Sequence, residues 1–344
     1  MSLEFKYIEE ANVSKEEYLE FLKECYGDDA RHKLEERAPW LHKTGKYKIL
    51  LALLDNKIVG QACSYEVTAI ANGKEIPLTW GIDNFVLSAA RGKGVGKRLQ
   101  KTMHIERENF SSAWYSPTNG FIKKKCGSRI FQPNYFPYYA VSKFLGIYLE
   151  LALYKILKKN IKVPSRLPNF YYNLFNRKKL NRLDINEIHE FTIENIQFIQ
   201  NVLKSNYDFY VKRDLEYMNW RYFENPSVKD FHILEIKKEG KRVAIVCFSN
   251  ARKRKYICTE YMGATLLDLF ISDRTVFDEK DAIRTIVNYY KQKGIALDGI
   301  NTIFNIPYFP KIKYPKQGTP FLSTYEGDIK KPYISMMDQD MEQN

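Results

Sequence analysis

A chain of 344 residues with 54 Lys and Arg against 41 Asp and Glu carries a net charge of +13. Its partners are therefore expected to be acidic: nucleic acid, an acidic carrier protein, an anionic membrane face or a phosphorylated cofactor. Hydrophobic residues at 44% and charged residues at 28% exclude a disordered chain, and the length suggests two domains. Five cysteines with no CxxC pair and five histidines without ligand spacing exclude a disulfide framework and a metal site, and fit a reducing cytoplasm.

The first residues, Met1 to Lys6, show no apolar leader. Residues 4–9 read as a short strand, and Ser14 opens a helix with Tyr18, Leu19 and Leu22 on one face. Strands follow at 47–54, from Ile58 to about Thr68, and from Ile76 to Leu87. The turns between them are Asp55-Asn56-Lys57 and Asn72-Gly73. Arg91-Gly92-Lys93-Gly94-Val95-Gly96-Lys97-Arg98 then leads into a helix buried along Val95, Leu99, Thr102, Met103 and Phe110.

Ser112 to Tyr115 reads as a strand, and Thr118 or Asn119 caps a short helix ending near Gly127. Residues 129–142 are extended and rich in Tyr and Phe. Tyr138 to Leu157, interrupted by Lys143, Glu150 and Lys155, reads as a buried amphipathic helix and not a membrane span. A basic connector runs from Lys158 to Leu183. The second half reads helix-rich over 184–225, with Asp214 as a cap and Pro226 as a stop. Strands at 231–237, 242–249 and 264–272, a helix from Asp281 to Gly294 and a strand over 300–306 complete it. This order echoes the first half without a sequence repeat.

The chemistry is expected at 91–98. Glycines at alternate positions let backbone N–H groups converge, and the helix that starts there adds its dipole and open N–H groups, which together make an anion site of pyrophosphate size. Lys93, Lys97 and Arg98 add charge at the rim. A Walker A loop needs Gly where Arg91 stands and Ser or Thr where Arg98 stands. A Rossmann fingerprint needs GxGxxG after a parallel strand.

The run Asp83-Asn-Phe-Val-Leu-Ser-Ala-Ala-Arg-Gly-Lys-Gly-Val-Gly-Lys-Arg resembles the acyl-coenzyme A motif of the GNAT (Gcn5-related N-acetyltransferase) superfamily. In that motif an acidic strand residue and a hydrophobic pair precede (Arg or Gln)-x-x-Gly-x-(Gly or Ala), here Arg91, Gly94 and Gly96. The sharp match covers residues 83–103, and the order of elements agrees over 4–142.

The resemblance implies a bulged, splayed strand in which Val86, Leu87 and Ser88 meet the pantetheine arm. The Val86 N–H would polarise the thioester carbonyl. Arg91, Gly92, Gly94, Gly96, Lys97 and Arg98 would hold the pyrophosphate, with Asn119 also in the cofactor set. It further implies Asp83 as the base that deprotonates the amine. The tyrosine that serves as general acid in much of the family has Lys123 in its place, within Phe121-Ile-Lys-Lys-Lys-Cys-Gly127-Ser128. Tyr135 and Tyr138 are candidate substitutes, and the ordinary reading of Lys123-Lys124-Lys125 is a solvated face. Trp220-Arg221-Tyr222 reads as a helix with Met218 and Tyr222 inside and Arg221 outside.

The expected fold is α/β, two GNAT-like domains in tandem, each a mixed, mostly antiparallel sheet flanked by helices. The expected boundaries are 1–142 for the coenzyme A-binding domain, 143–182 for a linker helix and basic connector, and 183–344 for a second domain without the glycine loop. The expected activity is acetyl transfer from acetyl-coenzyme A to a primary amine such as an amino sugar or its nucleotide-linked form, bound in an aromatic cleft between the domains. The alternatives are a transferase resembling the Fem ligases, which use aminoacyl-tRNA, and a non-enzymatic basic protein binding nucleic acid or a membrane surface. Scattered basic residues argue against the nucleic-acid reading.

Overall fold

The structure is a computed structural model that describes residues 2–112, 117–132, 137–140, 144–159, 161, 183–256, 259–302, 304, 312–313 and 321–338. In chain order its strands are β1 (Leu3–Tyr7), β2 (Lys48–Leu54), β3 (Lys57–Ala71), β4 (Lys74–Val86), β5 (Phe110–Ser112), β6 (Arg129–Gln132), β7 (Pro137–Ala140), β8 (Asp184–Glu187) and β9 (Phe209–Val211). They continue with β10 (Phe231–Lys238), β11 (Lys241–Ser249), β12 (Arg252–Tyr256), β13 (Thr259–Ile271), β14 (Gly299–Asn301), β15 (Ile312–Lys313), β16 (Phe321–Ser323) and β17 (Pro332–Tyr333). The principal helices are α1 (Lys15–Tyr26), α2 (Val95–Glu106), α3 (Pro117–Lys125), α4 (Phe144–Leu157), α5 (Ile193–Asn206), α6 (Leu215–Tyr222) and α7 (Glu279–Gln292). A further helical run over 27–42 includes a π turn at Lys33–Arg37.

Two compact units emerge, and they are interleaved in sequence where the sequence reading expected consecutive stretches. Unit 1 comprises Met1–Pro133, Lys204–Val228 and Thr319–Ile334. Unit 2 comprises Asn134–Leu203, Lys229–Gly318 and Ser335–Asn344. The stretch read as helix-rich, 184–225, also contains β8 and β9.

Unit 1 is built on a nine-stranded sheet, with β1-β2-β3-β4-β5-β16-β6 in a row and β9 joining β3 to β17. The β2–β3 and β3–β4 hairpins turn on Asp55-Asn56 (φ 47° and 64°) and Asn72-Gly73 (φ 50° and 79°). Positive φ at both turn residues matches the twist of the flanking strands. Along β2 the pleat sends alternate side chains to opposite faces. Ile49, Leu51 and Leu53 join the core beneath α1 and the 27–42 run, while Leu50 and Ala52 join Val95, Leu99 and Met103 of α2.

Unit 2 repeats the plan. Its eight-stranded sheet runs β15-β7-β14-β13-β11-β10-β8, with β12 on β13. In each unit antiparallel strands lead through a helix, α2 or α7, to a strand parallel to the last of them: β5 beside β4, and β14 beside β13. The echo of order between the halves is therefore an echo of topology.

Three expectations need correction. The α4 helix is not buried all along its described side chains: Glu150 is enclosed, but Leu149, Tyr154, Ile156 and Leu157 are exposed. Arg221 lies inside, at 0% exposure, with its guanidinium carbon 5.2 Å from the Trp40 ring and 5.6 Å from the Trp220 ring. Those indoles stack at 4.7 Å, and each donates its N–H to the other's backbone carbonyl. Lys123 is buried as well, as described below. No helix of the described residues is long and apolar enough to cross a membrane, and no metal-holding group occurs among them.

Candidate functional site

The site grows from the end of β4. On β3, Gln61 faces Phe85 and Cys63 faces Ile82, so β4 carries one extra residue at Asp83-Asn84. Asp83 has φ +44°, a strained value for a non-glycine residue, and the bulge turns the strand end. The Leu87 N–H donates to the Val59 carbonyl. In antiparallel alternation the neighbouring Gly60–Val86 pair is then the non-bonded kind, so the Val86 N–H and C=O point away from β3. Arg91 Nε donates to that Val86 carbonyl at 3.0 Å.

On its other side, β4 pairs in parallel with β5 at Thr79–Phe110 and Trp80–Ser111. The Phe110 ring sits directly on Gly81, where an added Cβ would come within 2.3 Å of it. Beyond this wedge lies a cleft of about 660 Å³. Its walls are Asn84 to Val86 of β4, the loop from Ala90 to Gly96, the start of α2, and Thr118, Asn119 and Ile122 of α3.

At the mouth, Gly92 (φ +79°) and Gly94 (φ +77°) adopt the left-handed conformation with open space where a Cβ would stand. Gly94 is the N-cap of α2 and offers no side chain to its first N–H groups, whereas α1 and α6 are capped by Ser14 and Asp214. The result is a cluster of outward N–H groups at the positive end of a helix.

Of the residues named from sequence, Val86, Arg91, Gly92, Gly94, Gly96, Lys97 and Asn119 line this cleft. Leu87, Ser88 and Arg98 do not. Leu87 has committed its N–H to β3, Ser88 starts a 3₁₀ turn, and Arg98 lies over the Phe5 ring at 4.7 Å.

Asp83 also lies outside the lining, and its surroundings do not suit a general base. The π turn sets Lys33 and Arg37 on one side of the helical run, and both pair with its carboxylate, Lys33 at 3.0 Å. Tyr26 donates to the same group at 3.3 Å, and Gln61 Nε2 donates to the Asp83 backbone carbonyl at 3.0 Å. Burial alone would raise the carboxyl's pKa, but the Arg37 and Lys33 charges reverse this and hold it at about 2. A carboxylate this acidic is a weak proton acceptor. Its contacts with Lys33, Arg37 and Tyr26 tie the bulge to α1 and the 27–42 run.

The residue that sequence reasoning misjudged is Lys123. It is 1% exposed while Lys124 and Lys125 are exposed, because successive helix positions turn by about 100°. Its Nζ donates to Ser112 Oγ and lies 5.4 Å from the Phe110 ring centre, and burial pushes its pKa down to about 7. Nearby His104, bonded through Nε2 to Ser128 Oγ, is lowered to about 4 by burial and is neutral at physiological pH. Of the candidate substitutes for the general acid, Tyr135 lies outside the described residues and only the backbone of Tyr138 is described; it is in β7 of unit 2.

The corresponding junction of unit 2, between β13 and α7, contains no glycine over 273–282. Its helix is closed by a capping box in which Asp278 accepts from the Asp281 N–H and Asp281 accepts from the Asp278 N–H.

Comparison with known proteins bears on unit 1 by sequence and on the whole chain by fold. Residues 15–108 match the acetyltransferase (GNAT) family. No curated protein sequence matches the chain. Among solved structures it is similar to a conserved protein of unknown function from Enterococcus faecalis V583, a probable N-acyltransferase. That pair has a TM-score of 0.57 and 11% identity over 94% of this chain and 72% of that one. It is similar to a GCN5-related N-acetyltransferase from Anabaena variabilis ATCC 29413, with TM-score 0.55 and 10% identity over 93% and 72%. It also resembles Saccharomyces cerevisiae N-myristoyltransferase with bound myristoyl-CoA, with TM-score 0.50 and 13% identity over 95% and 84%. At these identities the likeness is one of fold.

Proposed function

We propose that this chain, whose residues 15–108 place it in the GNAT superfamily, is an acyl-coenzyme A-dependent N-acyltransferase with its donor site in the unit 1 cleft. The observation that carries the proposal is the uncapped start of α2 at Gly94 beside the bulged end of β4. One element offers N–H groups to a pyrophosphate, and the other offers strand-edge groups to an amide-bearing arm. Coenzyme A supplies the acyl group as a thioester when bound.

Gly92, Gly94, Gly96 and Lys97 would hold its phosphates, and Val86 would direct its N–H at the carbonyl to be polarised. Arg91 would release the Val86 carbonyl as the arm enters, since its guanidinium now covers that acceptor. Asn119 reaches the same cleft from α3.

For the acceptor we propose a primary amine on a sugar or a nucleotide-linked sugar. The support is the chain's 15% aromatic content and the Tyr26 and Phe85 rings, 6.0 Å apart, beside the cleft. The glycine loop favours an acyl-coenzyme A donor over aminoacyl-tRNA. The test is thiol release from acetyl-coenzyme A across a panel of amines that includes amino sugars and their nucleotide-linked forms. Turnover with a member of that class is expected. Retention of aminoacyl-tRNA with no affinity for coenzyme A would overturn the reading.

A further inference from the structure

Away from the cleft, one helix of unit 2 turns an apolar stripe to solvent, where a helix ordinarily turns it to a core. Along α4, Leu149, Ala152, Leu153, Ile156 and Leu157 recur at helical spacing, so they share one face, an arc of about 140°. That face looks outward: Leu149, Ala152, Ile156 and Leu157 are exposed, Ile156 at 76%, and Leu153 is half-buried. Glu150, at the edge of the arc, is enclosed, so the helix meets the protein on that side. From Tyr154 to Lys159 every side chain is exposed. The end of α4 therefore projects into solvent with Tyr154, Ile156 and Leu157 set among Lys155, Lys158 and Lys159.

The charge beside this face has one sign. From Lys155 to Arg182 the chain holds nine Lys and Arg and no Asp or Glu, and acids resume only at Asp184. Exposed apolar side chains set in a basic run match a surface that is apolar within and anionic at its boundary. The fourteen residues of α4 are too few to cross a bilayer and enough to lie along one.

Independently of the donor-site reading, we propose that the end of α4 docks this protein on an anionic phospholipid bilayer. Leu149, Ile156 and Leu157 enter the boundary between headgroups and acyl chains, and Tyr154 stands at headgroup level. Lys155, Lys158 and Lys159 pair with lipid phosphates while their stems lie along the apolar surface. A protein groove would have to meet these closely spaced lysines with acids at matched positions. A bilayer presents negative charge as a continuous sheet, which a basic run extending past the helix can use along its length.

The test is flotation of the intact chain with vesicles of phosphatidylcholine alone and with vesicles of phosphatidylcholine and phosphatidylglycerol in equal parts. Wild type should partition at least about tenfold more strongly onto the mixed vesicles, and high salt should weaken that binding. Ile156→Glu combined with Leu157→Glu should lower it by at least about tenfold, and so should Lys155→Glu combined with Lys158→Glu. All four positions are exposed, so both variants should melt as wild type does. Ile105→Glu, at a residue of unit 1 that is 72% exposed, brings the same kind of charge change elsewhere and should leave vesicle binding as it was.

Folded wild type that stays off the mixed vesicles refutes the proposal, and this arm requires no variant. Undiminished binding by the Ile156 and Leu157 double variant, or an equal loss in Ile105→Glu, would reduce the contact to net charge and also refute it. Polyglutamate that holds wild type as tightly as the mixed vesicles do would assign the face to an acidic protein instead. Dimerisation without lipid, seen by sedimentation and lost in the same double variant, would assign it to a second copy of this chain. Either assignment overturns the docking on lipid.

Discussion

Replacing Asp83 by Asn separates an anchor from a base. In the structure its carboxylate, 14% exposed, faces Arg37 at 3% and Lys33 at 16%. The substitution keeps the shape and removes the charge, leaving two cations together on one side of a π turn. The drop from the ordinary aspartate value of 3.8 to about 2 corresponds to about 2 kcal/mol of folding free energy at pH 7. Stranding the two cations raises the expected loss to about 3–5 kcal/mol.

The sign with pH is fixed by the depressed folded pKa. The stabilisation is present above about pH 4 and is lost as pH falls from about 4 toward 2. Urea unfolding followed by tryptophan fluorescence reports on the correct unit, because Trp40, Trp80 and Trp220 all belong to unit 1. Asp83→Asn should lower the stability of that transition and flatten its dependence between about pH 4 and pH 2. A variant within about 0.5 kcal/mol of wild type, losing turnover instead, would restore Asp83 as the base and refute the anchor.

Gly81→Ala should cost about 1–3 kcal/mol, because the Phe110 ring stands 2.3 Å from where the methyl must go. Adding Phe110→Ala should destabilise by less than the sum of the single changes in urea unfolding. Lys123→Met should stabilise unit 1 at pH 7 by about 2–4 kcal/mol, since the wild type must hold a lysine there against burial. Because the folded pKa of that lysine is depressed, wild-type stability should rise from about pH 7 to about pH 10, and the variant should lack that rise when unfolding is repeated across the range. Asp278→Ala should cost about 1 kcal/mol through loss of the α7 cap and leave coenzyme A affinity unchanged by calorimetry.

Much of unit 1 was legible because its information is local. The hairpin turns Asp55-Asn56 and Asn72-Gly73 announce themselves by residue type, and alternate glycines before an amphipathic helix announce the N–H cluster. What stayed hidden is non-local. Phe209–Val211 pairs with Ala69–Ala71, some 140 residues earlier, and no turn signal marks such a pairing. The interleaving of the two units rests on contacts of this kind.

The candidate site divides in the same way. Gly92 and Gly94 could be read from sequence because conformation demands glycine there. The partners of Asp83 could not, because Lys33 and Arg37 come from a distant π turn. A run of three lysines looks solvated, and only the facing of α3 toward Ser112 and Phe110 shows that Lys123 is enclosed. A signal was present in the turn between Asn119 and Lys123, which places the lysine near the cleft wall, but charge outweighed it.

The central claim, one donor site at the α2 N-terminus, is tested most directly by titrating the chain with coenzyme A in a calorimeter. Gly94→Trp fills the open space at a left-handed residue, and Gly45→Trp imposes similar backbone strain (φ +68°) with open space outside the cleft lining. The account predicts one coenzyme A per chain for wild type and Gly45→Trp, and none for a folded Gly94→Trp. Two per chain, or undiminished affinity in Gly94→Trp, would contradict it.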